Sequence, residues 1–361
     1  MPKEVIKQFY SQYEPYLSPV AVVVGFVWDS LTLQRIDLFY ENLVILIYLT
    51  IVLGCILFLN AYDAGRIRGR IFDRIVVGVP FLLQVVFGGL FSAFFIFYTR
   101  SASFWASWPF ILLLLGLLVG NELFRKRYHR FVFHISVYFI TVFSYSVFVL
   151  PILVHRIGAG IFLLSGLLSL VVIFIVILLI YFLFPARVKK SRYPLAISIG
   201  SILVIFNLMY FFHIIPPIPL AMKDSGVYHY VDRAESEYVV KYEPPSWYEL
   251  GGDWDDEFSW QPGEPVYNYT AVFAPTEIST PITHRWYFYN PETEEWVLRD
   301  ELSYPIRGGR DGGYRGYSYK YNVEPGEWKV DTVTETGQVL GSNRFEVVKK
   351  EEMPDLKTKA K

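Results

Sequence analysis

Cysteine, histidine and charge are all scarce in this chain of 361 residues. There is one cysteine, Cys55, and there are six histidines. That excludes a disulfide scaffold and a zinc centre built from clustered thiolates and imidazoles. Charged residues make up 19%, where soluble domains usually sit near a quarter. With 33 Lys+Arg against 34 Asp+Glu, a nucleic-acid binder resting on a basic patch is excluded as well. The HExxH zinc signature, the P-loop and the nucleophile elbow are all absent. No catalytic residue, metal site or cofactor is expected.

What the chain has instead is apolar and aromatic bulk: 53% hydrophobic and 18% aromatic residues, with a mean hydropathy of +0.33. The near-neutral total hides an asymmetry. Residues 1–220 carry 17 basic and 8 acidic side chains, whereas residues 221–361 carry 16 basic and 26 acidic ones. A single soluble domain is excluded by that division.

A helix needs about 17–25 apolar residues to cross roughly 30 Å of hydrocarbon. The first 220 residues offer about seven such runs: 17–33, 39–59, 75–98, 104–124, 131–154, 157–184 and 194–215. The first is the shortest, and it carries Pro19 and Asp29. Given its mixed-charge flank and the lack of a small-residue cleavage site, it is not expected to be a cleavable signal peptide. Ile6, Phe9, Tyr10, Tyr13 and Leu17 recur at helical spacing, so residues 3–17 are expected to lie along the membrane surface.

Orientation follows from Lys and Arg in the short loops. One alternating set holds Arg66, Arg68, Arg70 and Arg74, then Arg125, Lys126, Arg127 and Arg130, then Arg187, Lys189, Lys190 and Arg192. The other set holds only Arg35, Arg100 and Arg156. The first set is expected in the cytoplasm, together with the N-terminus. Residues 221–361 then emerge on the opposite face. A disulfide-free outer domain fits a bacterial inner membrane.

After Ile215 the segment PPIPLAMKDSG breaks any helix. Beyond it the pattern changes to short alternating runs, and strands are expected at 238–242, 265–273, 280–289, 295–301, 314–323, 327–334 and 344–348. Turns at Asn290–Thr293, Glu324–Gly326 and Glu335–Gln338 separate several of them. The reading is an immunoglobulin-like antiparallel sandwich over 221–361. Alternation groups Tyr317, Tyr319, Tyr321 and Val323 on one face of their strand, against Gly316, Ser318 and Lys320. It groups His284, Trp286 and Phe288 against Arg285, Tyr287 and Tyr289. The intervening stretch Pro244–Pro265 reads as an irregular loop whose Trp247, Trp254 and Trp260 call for cover.

His284-Arg285-Trp286, Tyr314–Ser318, Gly326-Glu327-Trp328-Lys329-Val330, Gly337–Leu340 and Phe345-Glu346-Val347 together resemble the bacterial envelope family catalogued as domain of unknown function 2914. Its pattern runs H-x-W, an aromatic strand with serine, G-x-W-x-V, a glycine turn with leucine, and F-x-V. The likeness spans residues 283–348, with Tyr317 where the family carries Trp. It implies a β domain in an envelope protein and no assigned activity. The membrane part resembles no transporter or enzyme family.

Ionisable groups in apolar segments are costly, and each is a functional candidate. Asp29, Glu41 and Glu122 qualify. Asp29 has Arg35 as its expected partner, Glu41 favours a helix N-terminus, and Glu122 neighbours the basic run at Arg125–Arg130. His134 and His213 read as interfacial. The segment Leu163-Leu164-Ser165-Gly166 lacks the first glycine of a G-x-S-G serine motif and reads as a close-packing site. The acidic cluster Asp253–Glu257 lacks the spacing of a calcium loop and reads as solvated.

Residues 221–361 hold 14 Tyr and 6 Trp, and rigid rings bind sugars and peptides at low entropic cost. Tyr287, Tyr289, Trp296 and Tyr304 are the candidate binding residues. Arg307 and Arg310 sit in a glycine-rich loop, expected to be mobile and able to contact carboxylates or phosphates. The expected partners are the lipid bilayer and an envelope glycan or protein, with homo-oligomerisation open and no nucleic acid. The alternative is a transporter or membrane-embedded enzyme in which the helical bundle carries the activity and the β domain caps it.

Overall fold

The computed structural model describes residues 26–27, 29–33, 38–101, 104–123, 131–216, 219–234, 237–244, 257–276, 278–310 and 312–361. The chain divides into a helical unit drawn from residues up to Ile215 and a β-rich unit that joins Pro216–Lys361 with Arg100–Ala106 and His155–Gly158.

The helices are α1 (Phe39–Asp63), α2 (Phe72–Ser101), α3 (Phe104–Leu123), α4 (Phe131–Val154), α5 (Ala159–Leu183) and α6 (Pro185–Phe211). Among the described residues, α1, α2, α4, α5 and α6 are each long and apolar enough to cross a membrane. Of the first expected segment, Asp29–Thr32 is helical, and most of the rest lies outside the described residues, as do 3–17, Arg35 and Arg125–Arg130. One boundary moves by nine residues. The segment expected to begin at 194 begins at Pro185, so Arg187, Lys189, Lys190 and Arg192 ride on the first turns of α6 rather than in a loop. Proline is suited to the first helical turn, and Lys and Arg are good helix formers; the helix then continues through Pro194 to Phe211.

The most enclosed helix is α4, and aromatic rings join it to its neighbours. Phe148 meets Tyr98 of α2 at 4.5 Å between centroids, and Tyr98 meets Phe110 of α3 at 4.6 Å. Phe143 stacks on Phe206 of α6 at 4.8 Å. Opposite Phe143, α5 presents Gly166, where an added Cβ would lie 3.3 Å from the Phe143 ring. Ser165 and Ser169 donate to the carbonyls of Ile161 and Gly166, at 2.8 and 2.7 Å. Their hydroxyls are thus held by their own helix, as a close-packing site requires and a nucleophile does not.

The β unit contains β1 (Ala221–Tyr228), β2 (Tyr230–Ala234), β3 (Glu237–Tyr242), β4 (Glu257–Trp260), β5 (Val266–Phe273), β6 (Ser279–Asn290), β7 (Glu295–Arg307), β8 (Tyr314–Lys320), β9 (Gly326–Thr334), β10 (Val339–Lys349) and β11 (Lys357–Ala360). All seven expected strands are present, with β7 and β10 longer than expected. The four additional ones are short or follow irregular segments. β11 reads KTKA and shows no apolar alternation at all; only its pairing with β3 makes it a strand.

Three sheets result, ordered β1-β5-β8, β4-β10-β9-β6-β7 and β11-β3-β2. The five-stranded and first three-stranded sheets enclose a core of Trp286, Trp328, Val330, Phe345 and Val347, continued by Val272, Ile282, Ile306 and Leu340. The remaining small sheet covers the other side of β1-β5-β8 through Tyr228, Val231, Val240 and Tyr269.

That third layer explains how β8 is turned. Its Gly316 and Ser318 face the five-stranded sheet, while Tyr317 packs with Tyr238 and Tyr269 on the far side and Tyr319 is exposed. Gly316 has no room for more than hydrogen: a Cβ there would lie 2.4 Å from the ring of Tyr304.

Candidate functional site

Two groups of chemistry-bearing side chains stand out in the β unit, one sealed inside and one open. The inner group centres on His284 of β6. Its Nδ1 lies 2.8 Å from the Ser318 hydroxyl and 3.3 Å from the Asn268 amide nitrogen. Its Nε2 lies 3.0 Å from the Thr270 hydroxyl and 3.1 Å from that of Tyr304, and these two hydroxyls are 2.6 Å apart.

The surrounding donors determine the tautomer. The Trp286 indole N–H donates to Ser318 Oγ at 3.1 Å, leaving the serine proton for Nδ1. Asn268 Oδ1 accepts from Asn343 at 2.7 Å, which turns its amide donors toward the same nitrogen. Asn343 Oδ1 in turn accepts from Ser225 at 2.9 Å. Nδ1 therefore accepts, and Nε2 carries the proton toward Thr270 and Tyr304.

Burial pushes His284 down to about 3, and a second ring proton would also find no acceptor at Nδ1. The network joins six strands of both sandwich sheets, and every polar side chain named in it is partnered. His284, Asn268 and Thr270 are fully buried. Buried and mutually hydrogen-bonded, this group specifies how the sheets meet.

The open group lies on the outer face of the five-stranded sheet. Tyr287 and Tyr289 of β6 point outward, and Trp296 pairs across from Tyr289 on β7, with ring centroids 5.3 Å apart. Lys329 of β9 places its ammonium 4.5 Å from the centroid of Tyr287 and 5.4 Å from that of Trp296. Arg344 of β10, paired with Lys329 in the sheet, lies 5.9 Å from the Trp296 centroid. Polar pairs border the rings: Lys329 with Asp331 at 3.0 Å, Arg285 with Glu301 at 2.5 Å, and Ser342 hydrogen-bonded to Asp331. Burial and the Asp331 carboxylate raise the Tyr287 phenol, so it stays a neutral hydrogen-bond donor. The surface offers flat rings ringed by donors and acceptors, the chemistry that receives a sugar face.

The structure thus brings three of the expected binding residues together and separates the rest. Tyr304 does not join Tyr287, Tyr289 and Trp296. A register shift against Trp286/Tyr287 leaves Arg299 as an extra residue in β7, so positions either side of it reverse their faces. Tyr304 consequently points inward to His284. Arg307 ends β7 exposed, and Arg310 stacks on Tyr314 at 5.3 Å, both away from the aromatic face. The start of their loop is held to the neighbouring backbone. Gly308 and Gly309 donate to the carbonyls of Ile278 and Ala274 at 2.8 and 3.1 Å. At Gly308 a Cβ would lie 1.8 Å from the Pro275 carbonyl oxygen. The glycines there permit close backbone approach.

In the helical unit, Asp29 lies beside Ser92 of α2, and Glu41 is buried in the first turn of α1. Glu122 falls near the end of α3, and its side chain lies outside the described part. Asp253–Asp256, Trp247 and Trp254 are also outside it; Glu257 opens β4 and pairs with Lys350 at 2.7 Å. Sequence reading overlooked Lys329, Asp331 and Arg344, which lie on other strands, and the polar role of His284. The H-x-W spacing was the available signal for the latter, since it places both side chains inward.

Residues 279–347 match the model of a family described as "Protein of unknown function (DUF2914)". His284, Trp286 and Ser318 of the inner network fall inside that match. No curated protein matches the chain. Among solved structures, an immunoglobulin-like protein of Pseudomonas aeruginosa is similar at 14% identity and a TM-score of 0.22, covering 36% of this chain and 96% of that one. The alkylpurine DNA glycosylase AlkC of Pseudomonas fluorescens, bound to DNA with an abasic-site analogue, aligns at 10% identity and a TM-score of 0.21. That alignment covers 74% of this chain and 80% of AlkC.

Proposed function

We propose that this is a polytopic protein of the bacterial inner membrane that displays its β unit outside the cytoplasm to bind an envelope glycan. The carrying observation is the open face of Tyr287, Tyr289 and Trp296 with Lys329 and Arg344 beside them. Five membrane-length helices and the skew of Lys and Arg toward one alternating set of helix ends and connections support the placement. The excess of acidic over basic residues beyond residue 220 disfavours a polyanionic polymer. Lys329 is also already engaged by Asp331 and two rings. The ligand class that fits is an uncharged, ring-rich glycan such as a strand of N-acetylated amino sugars.

The test uses the full chain in lipid nanodiscs, titrated with N-acetylglucosamine oligomers and read by tryptophan fluorescence. Saturable binding that weakens at least tenfold in Trp296→Ala and Tyr287→Ala is the expected result. Absence of binding by the folded protein would overturn the proposal.

A second reading makes the helical unit the active part, with the β unit as its cap. It draws on the polar side chains enclosed there, including Glu41, Asn60 and Gln84. Under it, Asp29→Asn and Glu41→Gln abolish a cellular phenotype of the intact protein; under the first reading both are tolerated.

A further inference from the structure

The helical unit gathers two basic segments that are more than a hundred residues apart in sequence. Residues 61–74 and 185–193 contain eight Lys and Arg and two carboxylates, Asp63 and Asp73. Both carboxylates are engaged. Arg187 of α6 binds Asp63 at the end of α1 at 2.9 Å, and Tyr62 donates to Asp73 at 2.8 Å, which ties the end of α1 to the start of α2.

The connection between α1 and α2 is itself well determined. Gly65 and Arg66 donate back to the carbonyls of Tyr62 and Ala61, with Gly65 in the left-handed conformation that ends a helix. That turn projects Arg66 onto the ring of Phe184, 5.1 Å from its centroid, at the entrance to α6. Arg187, one turn on, lies over Phe131 of α4 at 5.6 Å. The two basic segments therefore occupy the same end of the helical unit.

After the two carboxylates are accounted for, a strong positive excess remains, on exposed residues that include Arg68, Arg70, Lys189, Lys190 and Arg192. Exposed apolar and aromatic side chains stand beside them: Ile71, Phe72, Tyr181, Phe182 and Tyr193. The Arg192 guanidinium covers Tyr193 at 4.6 Å and donates to its hydroxyl at 3.0 Å. Cations whose stems run beside aromatic rings at the end of membrane-length helices match the boundary between acyl chain and headgroup.

We infer that this basic surface, formed by the α1–α2 turn and the first turns of α6, is a binding site for anionic phospholipid headgroups. The phosphodiester supplies the charge missing from the surface, and the acyl chains cover the exposed rings. Each cation near such a headgroup strengthens association about fivefold. The site is separate from the glycan-binding face and does not depend on it.

The experiment reconstitutes the full chain in phosphatidylcholine bilayers and measures, by electron spin resonance, the fraction of spin-labelled lipid held at the protein surface. Spin-labelled phosphatidylglycerol is compared with spin-labelled phosphatidylcholine. The wild type is expected to favour phosphatidylglycerol severalfold, less so at high salt. In Arg68→Gln/Arg70→Gln/Lys189→Gln/Lys190→Gln/Arg192→Gln the preference falls toward unity, and in the matching variant with Arg68→Lys/Arg70→Lys/Arg192→Lys it remains. Arg187 and Asp63 are left intact so that helix packing is preserved, and circular dichroism reports the fold. A wild type without preference, a folded neutralised variant that keeps it, or its abolition by inorganic phosphate at an ionic strength where sodium chloride leaves it intact would each overturn the inference.

Discussion

Trp296 and Tyr304 belong to the same strand, eight residues apart, and face opposite sides of the sheet. Trp296 joins Tyr289 on the open surface, 5.3 Å away, whereas the Tyr304 hydroxyl sits 2.6 Å from that of Thr270 in the sealed interior. The extra residue at Arg299 reverses the alternation between them. Substitutions at the two positions therefore separate binding from stability.

Trp296→Ala should weaken glycan binding and leave thermal stability within about 0.5 kcal/mol, as surface changes usually do. Tyr304→Phe should do the reverse. It removes a hydroxyl shared by Thr270 and His284 and costs about 1–3 kcal/mol, measured as a lower unfolding temperature with binding retained. A loss of binding in Tyr304→Phe at temperatures where it is folded would contradict the assignment.

Gly316→Ala should destabilise the β unit by about 1–3 kcal/mol through overpacking against Tyr304. Combining it with Tyr304→Leu, which withdraws the ring from that Cβ, should cost less than the sum of the two single changes. Strict additivity in a double-mutant cycle would show that the two residues do not meet.

Acidification should destabilise the β unit in two windows. His284 is held near 3 when folded, against about 6.5 in an unfolded chain. Below about pH 6.5 the unfolded state gains a proton that the folded state refuses, so stability falls as pH drops, by about 2 kcal/mol at pH 5. Glu243 acts lower. Burial raises its carboxyl, but hydrogen bonds from His229 at 2.7 Å and from the Ser259 backbone and hydroxyl at 2.8 Å outweigh this and lower it overall. Its contribution is present above the usual carboxylate range and is lost as pH falls through its folded value. Unfolding temperatures of His284→Gln should show a flatter slope between pH 7 and 5 than wild type, with the loss at lower pH retained. An unchanged slope would remove His284 as its cause.

In the helical unit, Gly166→Ala should be tolerated with a small loss. Gly166→Leu should not be, because an added Cβ alone would lie 3.3 Å from Phe143 and 3.6 Å from Leu203. Thermal aggregation of the detergent-solubilised protein gives the comparison, and equal stability of the two variants would contradict close approach of α4 and α5 there.

Much of this protein is legible without a structure, for reasons of period and length. Phe131–Val154 could be read to the residue because an uninterrupted apolar run has only one way to satisfy its backbone groups away from water. The expected strands came from alternation and turn chemistry, and H-x-W placed His284 and Trp286 together on one face because side chains alternate along a strand. Tyr287 and Tyr289 followed from the same rule.

What alternation could not determine depends on partners distant in the chain. β11 exists because β3 offers it an edge. Tyr304 turned inward because one unpaired residue in β7 reverses the count, and the tyrosine row of β8 turned outward because a third sheet covers part of it. Lys329 and Arg344 reached the open aromatic face, and Arg66 and Arg187 reached the same end of the helices, only through pairing and packing. Local periodicity sets each segment's type and faces. Register, layering and the meeting of charges depend on contacts across the chain, and these only the tertiary structure decided.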